Sequence, residues 1–309
     1  MVTSVVSVSD GPRTTVSDLV GSPLAIPTRI IDILKAGLIS ETLLRNAGSN
    51  SNGLVQFSES TPLFLGSDVE NVAEFAEIPV GAGQIGTPRV AYALRQGLGV
   101  RVSKEMIDEN RLDDVNRQIK QLANTFIRAD DRAARTILDS APTLAASAAW
   151  SGGTGKPRKD IANAIEKVAS AQPDGSGYTA DEYLGFEANT IVVHPALAAV
   201  LIDNEDILKV YKDVLTPDSI AYTGKLPKQI LGLDVLTSRS FPLTKALVLE
   251  RGTVGFYSDT RPLQSTALYP EGNGPNGGPT ESYRSDTTIK RAVGLDQPKA
   301  AVWITGIGA

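Results

Sequence analysis

Two glycine-rich segments, a single histidine and a spaced set of arginines are the residues here whose types and spacing could do chemistry. Gly81-Ala-Gly83-Gln-Ile-Gly86 has the G-x-G-x-x-G spacing that lets a backbone close on a pyrophosphate. That chemistry needs a strand before the glycines and a helix opening on the third. Pro79 precedes them, Pro88 follows, and the next segment alternates like a strand, so they read as a hairpin tip. Gly152-Gly-Thr-Gly155-Lys156 comes near a phosphate loop. That pattern needs glycine where Trp150 stands and Ser or Thr where Pro157 stands, so the segment reads as a flexible linker.

His194 is the only histidine, set between an apolar strand and Pro195. Alone it supplies no metal cluster, and no G-x-S-x-G elbow accompanies it, so a structural role is expected. The absence of cysteine removes disulfides, thiolate zinc sites and cysteine nucleophiles together. Carboxylates are plentiful, but acid–base pairs are set by spatial distance, and no sequence spacing singles one out. The expectation is a protein with no catalytic residue, no metal and no cofactor.

The elements that position the arginines are unusually long. From Arg89 to Val102 the even residues Val90, Tyr92, Leu94, Leu98, Val100 and Val102 are apolar, with only Gln96 breaking the series, and Arg89, Arg95 and Arg101 fall on odd positions. This period of two predicts one strand with a buried even face and a thin basic face. Before it, Leu54 onward reads as the outgoing leg of a two-stranded excursion that carries only acids: Glu59, Asp68, Glu70, Glu74 and Glu77. Facing strands of opposite charge stabilise each other, and exposed strand faces are commonly charged. A hairpin this long needs another surface to lie on.

The period then changes. Ser103 suits a helix N-cap, a break is expected near Glu109-Asn110, and Asp113 and Asp114 suit the first turn of a second helix. Val115, Ile119, Leu122, Phe126, Ala129, Ala133 and Ile137 form one apolar stripe on a helix of about 40 Å that ends before Pro142. Asp113–Arg117, Asp131–Arg135 and Arg135–Asp139 are expected pairs on its wet side.

Elsewhere, residues 1–22 read as an extended arm, Arg29–Gly37 as a short amphipathic helix, and Gly48–Gly53 as a loop. Helices at Asp160–Ala171 and Pro195–Ile202 alternate with strands at Thr190–Val193, Gln229–Val235, Lys245–Glu250 and Thr253–Tyr257. They suggest a mixed α+β unit over 143–258. Pro270–Ser282, rich in proline and glycine, reads as loop, and Thr287–Val293 and Ala300–Thr305 as closing strands.

The chain has 309 residues, 41% hydrophobic and 21% charged, with net charge −5. This is globular composition, and the acidic balance argues against a dedicated nucleic-acid binder. No apolar run approaches a membrane span and no signal pattern opens the chain, so a cytoplasmic location and no membrane partner are expected.

This order of parts resembles the major capsid proteins of tailed bacteriophages, with the Hong Kong ninety-seven fold. The resemblance rests on the N-terminal arm, the helix after Ile26-Pro27, the hairpin with Ala73-Glu74-Phe-Ala-Glu-Ile-Pro79, the return strand into Val102-Ser103-Lys-Glu-Met106, and the long helix. It implies an α+β fold with an N-arm (1–25), a short helix and connection (26–53), an extended E-loop (54–102) and a spine helix of the P-domain (103–142). A mixed α/β A-domain (143–242) and return strands mainly of the P-domain (243–309) would complete it. Pentamers and hexamers would close an icosahedral shell around double-stranded DNA bound without sequence specificity, assembled in the host cytoplasm. A separate scaffolding protein, a portal and a cement or decoration protein are the further partners implied.

Glu70, Glu74, Glu77, Arg89, Arg95 and Arg101 are the expected intersubunit contacts, with at least one pair crossing subunits. Some relatives join subunits covalently through an E-loop lysine. Here no lysine lies between Lys35 and Lys104, and arginine is a poor nucleophile. Mature particles are therefore expected to run as single chains on denaturing electrophoresis, and a covalent ladder would contradict this. Two other readings are carried: an encapsulin-type compartment shell, separated by its enzyme cargo, and an α/β enzyme, separated by turnover.

Overall fold

The structure is a computed structural model that describes residues 15–35, 37–152, 154–173, 182–207, 228–273, 277–278 and 280–308. In chain order its elements begin with helices α1 Val16–Gly21, α2 Ala25–Lys35 and α3 Ile39–Leu43. Strands β1 Arg45–Ser49, β2 Leu54–Glu59, β3 Thr87–Tyr92 and β4 Leu94–Ser103 precede helices α4 Lys104–Asp108 and α5 Leu112–Leu138. Next come β5 Thr143–Ala145, α6 Pro157–Ala169, β6 Thr190–Val193 and α7 Pro195–Asp203. Strands β7 Gln229–Ile230, β8 Leu233–Thr237, β9 Lys245–Leu249 and β10 Phe256–Ser265 follow. The chain closes with β11 Tyr269–Glu271, β12 Ser282–Gly294 and β13 Ala301–Thr305.

Two sheets organise these elements. In one, β12 is central: β10 and β11 pair along one edge, β4 along the other, and β1 adds in parallel outside β10. The first half of α5 lies on this sheet, with Val115, Ile119, Leu122 and Phe126 packed among Val100, Val102, Ile289 and the α2 residues Ile26, Ile30 and Leu34. The other sheet runs β5-β13-β9-β6-β8-β7 and carries the larger core, including Trp150 and Trp303. Both indoles are satisfied: Trp303 Nε1 donates to the Leu138 carbonyl at 2.7 Å and Trp150 Nε1 to Asp160 at 2.9 Å. Each fully buried Leu or Ile of these cores contributes about 1.5–3 kcal/mol of transfer free energy.

The expected caps hold. Ser103 Oγ accepts from the Met106 amide, and Asn110, at φ 51, breaks the chain between α4 and α5. The expected stripe on α5 holds only through Phe126. Beyond it the buried residues are Asp130, Asp131, Ala134 and Leu138, whereas Ala129, Ala133 and Ile137 are only half-buried. The reason is a change of neighbour, since the second half of α5 faces α3 and the six-stranded sheet. The expected i,i+4 pairs give way with it. Arg117 pairs with Asp114, Asp131 accepts from Ser238 Oγ at 2.7 Å, and Arg135 donates to the Ser240 carbonyl at 2.9 Å.

The single strand expected over Arg89–Val102 is interrupted at Ala93. Its first part, β3, pairs with β2, and its second part, β4, pairs with β12. The even face is buried only at Val100 and Val102, because Val90, Tyr92, Leu94 and Leu98 have no layer over them. Around Ala91 the opposite face is the buried one, packed with Val55, Phe57, Phe256 and Ala292. The two-stranded ladder is also shorter than expected, covering 54–59 against 87–92. Residues 60–86 form an irregular excursion, as Pro62 and Pro79 cannot donate to a ladder. Gly81–Gly86 lies on its returning leg and not at a hairpin tip, and β3 follows where a dinucleotide site needs a helix.

Other boundaries differ for local reasons. Of the expected extended arm, residues 1–14 lie outside the described residues, and 16–21 form α1, started by a capping box between Thr15 and Asp18. Strand β1 occupies part of the expected loop and leaves only residues 50–53 as loop. Gln229–Val235 is a tight hairpin, since Leu231 (φ 51) and Gly232 (φ 83) form a two-residue turn. The strand expected at Thr253–Tyr257 begins at Phe256 and runs to Ser265. Within the expected loop Pro270–Ser282, Pro270 sits in β11, a sheet-edge strand that proline tolerates. The α+β unit expected over 143–258 also takes in β13 as an interior strand.

Residues 150–155, expected to be a flexible linker, are tied down. The Trp150 amide donates to the Ile307 carbonyl at 3.1 Å, and Asn204 Nδ2 donates to the Trp150 carbonyl at 3.1 Å. A Cβ at Gly155 would stand 2.4 Å from the Ala149 carbonyl oxygen, so glycine is required there by close approach. The expected turn Gln172–Gly177 falls largely outside the described residues.

Candidate assembly surfaces

The largest functional feature is an uncovered apolar segment. Thirteen of the nineteen large hydrophobics exposed among the described residues lie between Leu63 and Leu98. Val69, Phe75 and Val80 are 95%, 99% and 93% exposed. Contiguous apolar surface of this kind marks an interaction site. None of residues 60–86 enters any of the three buried clusters, so this segment adds nothing to the core of its own chain. Phe75 stands at a turn closed by the Ala76 amide on the Ala73 carbonyl, with φ 69. A bulky residue in the left-handed region is strained, and such strain collects at functional positions.

The charged residues expected at contacts divide into two groups. Arg89 pairs with Glu59 of the outgoing leg at 2.6 Å, and Arg101 with Glu271 at 2.7 Å, both within the chain. Glu70, Glu74, Glu77 and Arg95 are exposed and have no hydrogen-bond or ion-pair partner among the described residues. Sequence reasoning missed a second charged surface. Between Val115 and Leu138 the two acids, Asp130 and Asp131, are buried, so beyond its first turn, where Asp113 and Asp114 stand, the charges on the wet face of α5 are all cations. At 100° per residue, Arg117, Lys120, Arg128, Arg132 and Arg135 fall within an arc of about 120°. The signal was present in the sequence, but the expected Asp131–Arg135 pair placed an acid on that face.

Beside the stripe, a 540 Å³ cavity opens between α5 and the end of β8. Ile127 and Leu236 line it, with Arg128 and Arg239 at its wall and Asp131 and Ser238 within it. Arg128 and Arg239 are exposed and unpaired among the described residues.

A buried polar hub ties the five-stranded sheet to α3 and α5, and so the C-terminal part of the chain to its first half. Arg291, on β12, grips Asp259 of β10 with Nε at 2.7 Å and Nη2 at 2.9 Å. It also reaches Glu41 at 2.6 Å and Ser40 Oγ at 2.8 Å on α3, and stacks 4.4 Å from the Tyr257 ring. Burial opposes its charge, but the hydrogen bonds and charges of Asp259 and Glu41 outweigh that and raise its pKa. Asp130 of α5 accepts from the Ser40 amide at 2.9 Å and Ser40 Oγ at 2.6 Å. Burial nevertheless pushes the Asp130 carboxyl above its ordinary value, against the pull of Ser40 and Arg291. Burial likewise raises Asp131, against hydrogen bonds from Ser238 and Ser240.

These raised carboxyls have a signed consequence. Between the ordinary aspartate value, about 3.9, and the raised folded value, the native state holds more protons than the unfolded one. Their contribution to stability is therefore present at low pH and lost as pH rises through the folded value. Relative to the parent, Asp131→Asn is expected to be most favourable at neutral pH, with the difference fading as pH falls. Urea midpoints of both proteins across the acid range check this, and a pH-independent difference would contradict it.

His194 is the N-cap of α7, its Nδ1 accepting from the Ala196 amide at 3.0 Å, which is the structural role expected. Among the described residues no group of three or more His, Cys, Asp or Glu could hold a metal, and no helix is long and apolar enough to cross a membrane.

Fold and surface together have the form of a shell subunit, a two-sheet body with an apolar segment that this body leaves uncovered. The family model described as phage capsid protein matches residues 86–304, most of the chain, and the chain belongs to that family. A phage-related protein from Bordetella bronchiseptica superposes with TM-score 0.55 at 14% identity, covering 96% of this chain and 98% of that one. The capsid of cyanophage P-SCSP1u gives TM-score 0.56 at 12% identity, covering 86% of each. The holo-SrpI encapsulin of Synechococcus elongatus gives 0.53 at 13%, covering 86% and 85%. At these identities the likeness is one of fold. No curated protein sequence matches the chain. The protein is a structural major capsid protein with the tailed-phage capsid fold.

Proposed function

We propose that this chain forms pentamers and hexamers that close into an icosahedral shell around double-stranded DNA, and that it assembles in the host cytoplasm. The uncovered apolar E-loop carries this reading, because a heterologous arm that buries itself on the next copy generates rings and closed shells. Residues 1–25 act as the N-arm, 26–53 as the connection, 54–102 as the E-loop and 103–142 as the spine region. Residues 143–242 form the A-domain and 243–309 the return strands, mainly of the P-domain. Glu70, Glu74, Glu77, Arg89, Arg95 and Arg101 are the proposed interfacial charges. A separate scaffolding protein guides closure, a portal takes one vertex, and a cement protein reinforces the shell in place of covalent links. An acidic chain suits a container whose genome must leave, as a basic lining would hold phosphates.

The test is the content of purified particles. Nuclease-resistant double-stranded DNA supports the reading. An enzyme cargo without DNA would overturn it in favour of an encapsulin-type compartment.

A further inference from the structure

We infer that the wet face of α5 is the surface on which packaged duplex DNA lies, with Lys120, Arg128 and Arg132, joined by Arg29 and Arg239, meeting its phosphates. This rests on the packaging reading above and names the surface that serves it. Three observations converge. The first is charge. Arg29, Lys120, Arg128, Arg132 and Arg239 are exposed, and none has an acid partner among the described residues. Arg29 donates to the Asn116 amide oxygen at 2.7 Å, a neutral group that leaves its charge unmet. In a chain of net charge −5, so many free cations on one face are a local feature. The second is shape. A 380 Å³ cavity lined by Arg29, Arg117 and Lys120 and the 540 Å³ cavity walled by Arg128 and Arg239 share Asn124, so together they form one trough along the helix. The third is the company the cations keep. Gln121, Asn124 and Thr125 stand between them, and amides and hydroxyls of this kind commonly hold phosphate oxygens beside Lys and Arg. None of the large hydrophobics exposed among the described residues lies on α5. A protein partner needs an apolar centre with few charges, so the face fits the backbone of a polyanion better than another protein surface.

The magnitudes agree with a genome that must also leave. The cationic stripe from Arg117 to Arg135 is about 27 Å of helix. Duplex DNA carries one charge per about 1.7 Å of its axis, so that length presents about 16 phosphates. The free cations of one subunit therefore meet at most about a third of them. The contact is weak, sensitive to salt and blind to sequence, since it touches phosphates and no base edges. It orders the outermost duplex against the wall without trapping it. It also sets the orientation of the subunit, with this face of α5 turned to the interior.

The experiment follows the unassembled full chain binding a short fluorescent duplex of random sequence, by anisotropy across a salt series. The parent is expected to bind at low salt, with affinity falling steeply as salt rises. Lys120→Gln with Arg128→Gln and Arg132→Gln is expected to weaken binding by about tenfold or more and to flatten the log–log salt slope by about 3. The same change at Arg95, Arg158 and Lys159, exposed cations elsewhere, is expected to leave both near the parent. No binding at low salt, equal losses in the two variants, or tighter binding of polyglutamate of matched charge overturns the inference, the last in favour of an acidic protein partner. A second measurement uses parent particles and no variant. Acetylation of Lys120 is expected to be slow in DNA-filled particles and faster in the same particles emptied of DNA, and equal rates overturn the contact. Particles that hold no DNA remove the packaging reading itself, whereas DNA-filled particles with Lys120 open to the reagent remove only this contact.

Discussion

Arg291→Ala is expected to lower folding stability by about 3–5 kcal/mol, the cost of breaking a buried ion pair by removing one partner. The substitution leaves Asp259 without its two guanidinium bonds and Glu41 and Ser40 Oγ without their donor. It also takes the positive charge away from Asp130, whose carboxyl is already strained toward neutrality by burial. Because β10, β12, α3 and α5 meet at this side chain, the loss loosens the five-stranded sheet from the helices packed on it. Arg291→Lys is expected to rescue little, since a point ammonium cannot reproduce the bidentate grip on Asp259. Urea unfolding with an unchanged m-value reads the difference. Arg101→Ala, which breaks the exposed pair with Glu271, serves as the comparison and is expected to shift the midpoint far less. Equal effects at the two sites would contradict the account of the hub.

Replacing residues 61–85 by a short turn is expected to abolish shell formation and leave the body folded. The junction permits it. Ser60 and Gly86 follow and precede the paired ends Glu59 and Thr87, so the legs are already adjacent and a tight turn can join them. No residue of the deleted stretch belongs to a buried cluster, and the Ser60 amide keeps its bond to the Asp296 carbonyl. The urea midpoint should stay near that of the unassembled parent while sedimentation shows no particles. Complete shells from the shortened chain, or its failure to fold, would show that the exposed apolar surface has another purpose.

Much of the body was legible because single-element signals are local. The Ser103 cap, the Asp113-Asp114 start, the apolar run Thr190–Val193 and the stripe Val115–Phe126 each carry their period within a few residues. What failed depended on neighbours distant in sequence. The stripe of α5 turns after Phe126 because α3 and β8 reach it there, and β13 joins a sheet whose other strands end at Leu249. The apolar residues from Val90 to Leu98 read as a buried face, yet their chain leaves them exposed. Periodicity reports that a face is made for burial and is silent on which molecule buries it. Arg291 gave no signal, since a lone arginine in an alternating strand looks like any solvated residue until Glu41, Asp130 and Asp259 gather around it.

The measurement that bears most directly on the central claim is the native mass of the full chain by light scattering, with electron micrographs of the same fraction, alone and co-expressed with its scaffold. The account predicts rings of five and six copies or megadalton hollow particles of uniform diameter. A monomer of 32.7 kDa under every one of these conditions would contradict it.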